Sequence, residues 1–112
     1  MEWVELDRGP VTEHDSRGLY MIEAARLASG DEFRAHVVQV APGGILGAHP
    51  TRLWQLFCVL TGDGWVRTEG GPRERIVAEQ AVLWAPGETH ESGSRVGMTA
   101  LIVQASVRLP NG

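Results

Sequence analysis

The chain has 112 residues, 43% of them hydrophobic, which fits one domain with a single modest core. Its formal net charge is −4, and it has no lysine and only scattered arginines, so it lacks the basic stripe of a nucleic-acid or anionic-membrane surface. There is no signal-peptide pattern and no apolar run near the roughly 20 residues of a transmembrane helix, and the single cysteine, Cys58, cannot form an internal disulfide. We therefore expect a cytoplasmic protein with neither a membrane nor a nucleic-acid partner.

Short runs rich in valine, leucine, isoleucine and tryptophan, separated by glycine or proline turns, predict β-structure throughout. In chain order the predicted strands are Trp3–Leu6, Leu19–Leu27, Phe33–Ala41, Leu53–Leu60, Gly64–Thr68, Arg75–Val77, Ala81–Ala85 and Thr99–Val107. The segment Tyr20–Gly30 contains good helix formers, so a short helix and a hairpin arm both stay open there. The sequence "TGDG" at Thr61–Gly64 predicts a tight hairpin, and turns are also expected at "SGDE", "APGG", "EGGP" and "APGE".

This pattern predicts an all-β sandwich or barrel, and a small barrel has room for one ligand. Residues 1–112 form the single expected domain, with a short N-terminal strand arm and the C-terminal tail "RLPNG". Two turn-rich segments each bring a histidine to a strand end: "PGGILGAHPTRLWQLFCVLTGDG" at 42–64 and "WAPGETH" at 84–90. Two such strands can lie side by side in a barrel, so we expect His49 and His90 to face one cavity.

These segments resemble the two conserved motifs of the cupin superfamily, and in particular small single-domain bacterial cupins with a cupin-2-like barrel. The first motif falls, with its spacing kept, on Gly43, His49, Thr51, Gln55 and Gly62. The second falls on Gln80, Pro86, Gly87, His90 and Ser94. The core motifs therefore cover 43–64 and 80–94. The resemblance implies a double-stranded β-helix, or jelly-roll barrel, and a homodimer.

Cupins commonly hold one divalent transition metal through three histidines and a glutamate. The resemblance thus makes His49, Gln55 and His90 candidate ligands for iron, manganese, nickel or zinc. However, Thr51 replaces one histidine, and Gln55 offers a neutral amide oxygen where the family has a carboxylate, which leaves fewer than three strong ligands. Without a metal, the two histidines can exchange protons with a ligand, or simply satisfy buried backbone groups.

Four further residues are candidates for the pocket wall: His36, Thr51, Phe57 and Trp84. His36 shares the parity of Val38 and Val40 and faces the barrel interior if they do, although a surface or pairing role stays open. Trp84 offers an apolar wall for an aromatic ligand, or ordinary core packing. The remaining histidine, His14, lies in a polar stretch and is expected in an exposed loop.

Three functions are compatible with these features. The first is an enzyme acting on a small organic substrate, with His49 and His90 as catalytic residues in metal-dependent oxygenation or in isomerisation, cyclisation or dehydration. The second is a non-catalytic module that binds or senses a small molecule, and the third is a structural protein with a vestigial pocket. Because one fold supports many chemistries, the resemblance predicts a pocket and names no substrate.

Overall fold

A computed structural model describes residues 1–27 and 32–109, and nearly all of this part of the chain is β-structure. The eight strands are β1 (Arg8–Pro10), β2 (Arg17–Leu27), β3 (Phe33–Pro50), β4 (Trp54–Thr68), β5 (Glu74–Val77), β6 (Ala81–Trp84), β7 (Thr89–Ser94) and β8 (Met98–Ala105), with a 3₁₀ turn at Glu13–Asp15. None of the described segments forms a helix long and apolar enough to cross a membrane.

Two long strands, β3 and β4, close the barrel because each of them pairs at both of its ends. The first half of β3 pairs with β2 and β8, and its second half with β7. The first half of β4 pairs with β6 and β8, and its second half with β5 and β7. The ring β3–β8–β4–β7 is therefore closed, while β1 pairs with the outer strand β2. The predicted jelly-roll barrel is confirmed.

The long strands turn corners where the sequence predicted reversals. The predicted hairpin at Thr61–Gly64 is wrong, because β4 runs through it to Thr68. Gly62 has a φ of 94°, and the register with β8 shifts between Val59 and Thr61, so the strand bends as it passes from pairing with β8 to pairing with β5 and β7. The predicted turn "APGG" lies within β3 in the same way. Partner strands on both sides of each corner keep the chain extended instead of letting it fold back.

The N-terminal segment also differs from its prediction. The expected strand Trp3–Leu6 does not form, and the first strand is β1. Trp3 is 90% exposed, so the apolar residues of this segment have no sheet surface on which to pack.

Two further segments, in β2 and β7, are compared with their predictions. Tyr20–Leu27 is a strand, not a helix. The missed strand is β7, whose inward-facing positions are polar and so lack the alternation of apolar residues that marks a strand. The predicted turn at residues 29–31 and the end of the predicted tail, at residues 110–112, lie outside the described residues.

The barrel interior changes from apolar to polar along β3, β8 and β4. At one end, Val38, Ala100 and Val59 are direct partners across the three strands and are completely buried. We call this row the closed end. Two rows further along, the direct partners are Arg34, Gln104 and Gln55, which we call the open end. The row between them holds His36, Ile102 and Phe57.

Candidate functional site

A cavity of about 550 Å³ lies at the open end of the barrel. Side chains of β2, β3, β4 and β8 line it, together with the segment from Asp7 to His14. Its wall includes His36, His49 and Gln55, which lie on the two long strands. The volume suits a small organic molecule.

The structure brings His49 and His90 together from the two motif segments. They are direct partners between β3 and β7, just after an irregularity in the β3–β7 register, and their ring centroids lie 4.7 Å apart. His90 is only 1% exposed, whereas His49 is half-buried and lies on the cavity wall. The two imidazoles therefore belong to one site but occupy different environments.

A chain of hydrogen bonds fixes the buried histidine. The Gln104 side-chain amide donates to Gln55 Oε1 at 2.8 Å. Gln55 Nε2 in turn lies 3.2 Å from His90 Nε2, and His90 Nδ1 lies 3.3 Å from the carbonyl oxygen of Glu88. A carbonyl oxygen only accepts, so the Nδ1–H of His90 donates to it, and Nε2 accepts from Gln55. His90 is thus held as one neutral tautomer.

Burial of the His90 imidazole, together with a smaller contribution from the neighbouring His49, lowers its pKa to about 4. Trp84 stacks on the His90 ring with a centroid distance of 4.3 Å, and its indole N–H donates to the hydroxyl of Thr68. At neutral pH, His90 is therefore an uncharged, rigid hydrogen-bonding group and does not act as a general acid.

His49 retains a nitrogen for chemistry. Its Nδ1 lies 2.7 Å from the carbonyl oxygen of Gly47 and donates to it. In the neutral ring, Nε2 then carries the lone pair. Of the two facing histidines, His49 is the one on the cavity wall.

No family model matches the sequence, and no curated protein matches it. Solved structures do match across the barrel. A cupin-2 domain from Rhodospirillum rubrum aligns with a TM-score of 0.77 at 15% identity, covering 98% of this chain and 76% of that one. The chain folds as a small cupin domain.

Two further solved structures support the cupin fold. A cupin-like protein from Thermotoga maritima aligns with a TM-score of 0.74 at 18% identity, covering 90% of this chain and 80% of that one. The polyketide cyclase RemF from Streptomyces resistomycificus aligns with a TM-score of 0.76 at 20% identity, covering 98% of this chain and 82% of that one. At these identities the likeness shows the fold alone.

The residues at the candidate metal-ligand positions, as folded, do not fit a divalent transition metal. Gln55 Oε1 already accepts from Gln104, and both nitrogens of His90 are engaged in hydrogen bonds. The hydroxyl of Thr51 accepts from the backbone N–H of Leu53. Across residues 1–27 and 32–109, no three His, Cys, Asp or Glu side chains are grouped to hold a metal ion. Of the candidate ligands His49, Gln55 and His90, His49 alone keeps a strong lone pair for a ligand.

Of the four residues predicted for the pocket wall, His36 lines the cavity of this cupin domain. It is buried, and burial lowers the pKa of its imidazole, whereas Glu23 acts in the opposite direction. The other three, Thr51, Phe57 and Trp84, are not among the lining residues. Thr51 lies in the turn after β3, and the rings of Phe57 and Trp84 pack 5.9 Å apart in the core. Trp84 therefore links Phe57 in the core to the His90 ring, on which it stacks.

His14 also belongs to this site, although its sequence context indicates no functional role. His14 is exposed, as expected, yet its ring stacks on His49 with a centroid distance of 4.3 Å and an interplanar angle of 8°. Both His14 and Asp15 adopt a left-handed backbone conformation, with φ of 56° and 57°, which is uncommon for residues other than glycine. No motif or periodicity marks this turn, so only the fold reveals it.

The turn that carries His14 packs directly on β3 at Gly47. The Gly47 N–H donates to the hydroxyl of Ser16, and a Cβ at Gly47 would lie 1.7 Å from the carbonyl oxygen of His14. Only glycine allows this approach. The turn therefore holds a third imidazole against His49 at the cavity wall.

Proposed function

We propose that this cupin domain binds a small organic molecule in the cavity at the open end, and that His49 exchanges a proton with it without a metal. The observation that carries the proposal is the hydrogen bond from His49 Nδ1 to the carbonyl of Gly47, which leaves the lone pair on Nε2 of a half-buried ring at the cavity wall. A positioned imidazole of this kind is the commonest general acid or base in enzymes.

His90 has a supporting role in this proposal. Its pKa of about 4 and its two hydrogen bonds keep it neutral, so it does not compete with His49 for the proton. Its ring, fixed by Trp84 and Gln55, instead provides a rigid surface beside His49. Rigid support of this kind holds a reacting group in place at little entropic cost during the reaction.

The reaction class that these groups support best is isomerisation. His49 Nε2 takes a proton from an acidic C–H or O–H of the bound molecule and returns it to another atom of the same molecule, so no oxidant or co-reactant is needed. An intramolecular cyclisation would use the same proton exchange. A polyketide cyclase shares this fold, so the fold is compatible with such chemistry.

The test follows hydrogen exchange into a probe. Small 1,3-diketones and 2-oxo acids are incubated with the protein in D₂O, and loss of the acidic C–H signal is measured by proton NMR. The rate with the wild type should exceed that with His49→Ala by about 100-fold or more, the usual contribution of a general base. Arg75→Gln, at an exposed ion pair with Asp63, is the control and should exchange like the wild type.

The same experiment also tests whether proton exchange depends on a bound metal. Dialysis against a chelator should leave the exchange rate unchanged, and His49→Ala and His90→Ala should not differ from the wild type in metal content. A rate that collapses with the chelator and recovers with iron, manganese, nickel or zinc would contradict the metal-free proposal. A wild-type rate in His49→Ala would contradict the role of His49.

A binding or sensing module is the second candidate. Among the described residues, every buried side-chain nitrogen and oxygen has a hydrogen-bond partner, which suits a fixed recognition surface. In that case probes would bind in the cavity and leave chemically unchanged. The homodimer and the cytoplasmic location also stay predictions; light scattering on the purified protein would test the dimer.

A further inference from the structure

The open end carries a polar row that crosses three strands of the barrel. Arg34 on β3, Gln104 on β8 and Gln55 on β4 are direct cross-strand partners, and all three line the cavity. Burial increases along the row, from the partly exposed Arg34 to the fully buried Gln55. The row therefore leads from the cavity mouth to the hydrogen-bond chain that ends at His90.

Arg34 is the cation at the start of this row. Its ion pair with Glu32 is long, at 3.8 Å. The carboxylate of Glu32 is already engaged by the two terminal nitrogens of Arg52, at 2.9 and 2.6 Å. The guanidinium of Arg34 is thus only weakly held by Glu32 and remains suited to a further anionic partner.

A second arginine, Arg26, is the direct partner of Arg34 on β2 and also lines the cavity. Like charges directly opposite each other in a ladder are destabilising. Arg26 is compensated by Glu23, which accepts hydrogen bonds from its Nε and Nη2. A retained repulsion of this kind at a cavity wall is typical of a binding site, since local rules are broken mostly where function requires it.

Charge is distributed unequally around the cavity. The acidic lining residues Asp7, Glu13 and Glu23 belong to the N-terminal segment and to β2. Arg26 on β2 also lines the cavity and is paired with Glu23, whereas the β3, β8 and β4 side presents Arg34, two histidines and two neutral amides. An anionic group in this cavity is therefore repelled by the carboxylates of the N-terminal segment and attracted to Arg34.

We infer that the ligand of this site is a small organic acid whose carboxylate is bound by Arg34. The planar guanidinium matches a carboxylate with two parallel hydrogen bonds, which lysine cannot provide. With the carboxylate at Arg34, the body of the molecule lies along Gln104 and Gln55 toward His49. This inference rests on the proposed function, because it names the class of molecule that the same cavity takes.

The experiment compares small carboxylates with their matched primary amides, which have nearly the same shape and no charge. Binding to ¹⁵N-labelled full-length protein is followed by NMR chemical shifts. Carboxylates should shift the amide signals of β3 and β8 around Arg34 and bind about tenfold or more tightly than the amides, as expected for a charge-assisted pair. Arg34→Gln should weaken carboxylate binding by a similar factor and leave amide binding unchanged.

Arg75→Gln is the matched control. It removes an exposed ion pair with Asp63 and Arg75 does not line the cavity, so carboxylate affinity should stay at the wild-type value. Thermal melts check that both variants fold, and the comparison within the wild type does not depend on them. Equal binding of acids and amides, or an Arg34→Gln variant that binds carboxylates normally, would overturn the inference and leave the proposed function standing. If neither class of probe shifts cavity residues, both proposals fail.

Discussion

The closed end and the open end of the barrel are built from the same three strands, yet their inward-facing side chains differ in polarity and in burial. At the closed end, Val38, Ala100 and Val59 exclude water completely. Two rows away, the same inward face presents Arg34, Gln104 and Gln55 to a cavity of about 550 Å³. The difference shows how a small barrel separates stability from function: one end supplies the core, and the other supplies hydrogen-bonding groups held in place by that core.

The largest effect on stability is expected at Phe57, in the row between the closed end and the open end. Phe57 is completely buried and packs against Trp84. We expect Phe57→Ala to lower the free energy of unfolding by about 3–5 kcal/mol, because it removes buried apolar surface and leaves a hole in the core. Urea denaturation followed by tryptophan fluorescence measures this change. A decrease in the free energy of unfolding of less than about 1 kcal/mol would contradict the tight packing of this row.

An intermediate effect that depends on pH is expected from His90, which is hydrogen-bonded to Gln55 of the open end. The folded-state pKa of about 4 lies below the ordinary histidine pKa of 6.5. As the pH falls from 6.5 to 4, the unfolded chain takes up a proton at His90 and the folded chain does not, so the free energy of unfolding falls. His90 contributes about 3 kcal/mol to the free energy of unfolding. This contribution is fully present above pH 6.5 and is lost as the pH falls to 4.

Urea denaturation across this pH window measures the loss, and an NMR titration of the His90 ring measures the pKa directly. His36 contributes in the same direction because burial also lowers its pKa. A His90→Asn variant is the control, and its stability should depend less steeply on pH in this range. A titration of His90 near pH 6.5 would disprove its proposed neutral, buried state.

The smallest effect is expected at the open end, where side chains can change without disturbing the core. His14 is exposed, so His14→Ala should change the free energy of unfolding by no more than about 0.5 kcal/mol. It should nevertheless shift the ring proton signals of His49, because the stacked ring at 4.3 Å is removed. Unchanged His49 signals would show that the two rings do not stack in solution.

Much of the fold could be predicted because strand alternation and motif spacing are local properties of the chain. The parity of His36 with Val38 and Val40 placed it inside the barrel. The histidines at the strand ends of the two motif segments were expected to face one cavity, where His49 and His90 are direct partners. The corners were mispredicted because Gly62 looks the same in a hairpin as in a bent strand; the partner strands decide, and they lie far away in the sequence.

The remaining parts of the site depend on register and packing that no short stretch of sequence encodes. Arg34, Gln104 and Gln55 are separated by tens of residues and form a row only through the pairing of β3, β8 and β4. His14 joins His49 because a left-handed turn meets Gly47. Thr51 kept the motif spacing, yet its hydroxyl bonds the local backbone at Leu53.

The double pairing of β3 and β4 has a consequence for how the molecule opens. Each long strand is hydrogen-bonded at one end to β8 and at the other to β7, so β7 and β8 are joined through the same two strands and neither can separate without disturbing them. Amide hydrogens on both halves of these strands should therefore exchange with solvent only through global unfolding, as one cooperative unit. Because the closing pairs join residues distant in sequence, the barrel should also fold slowly for its size.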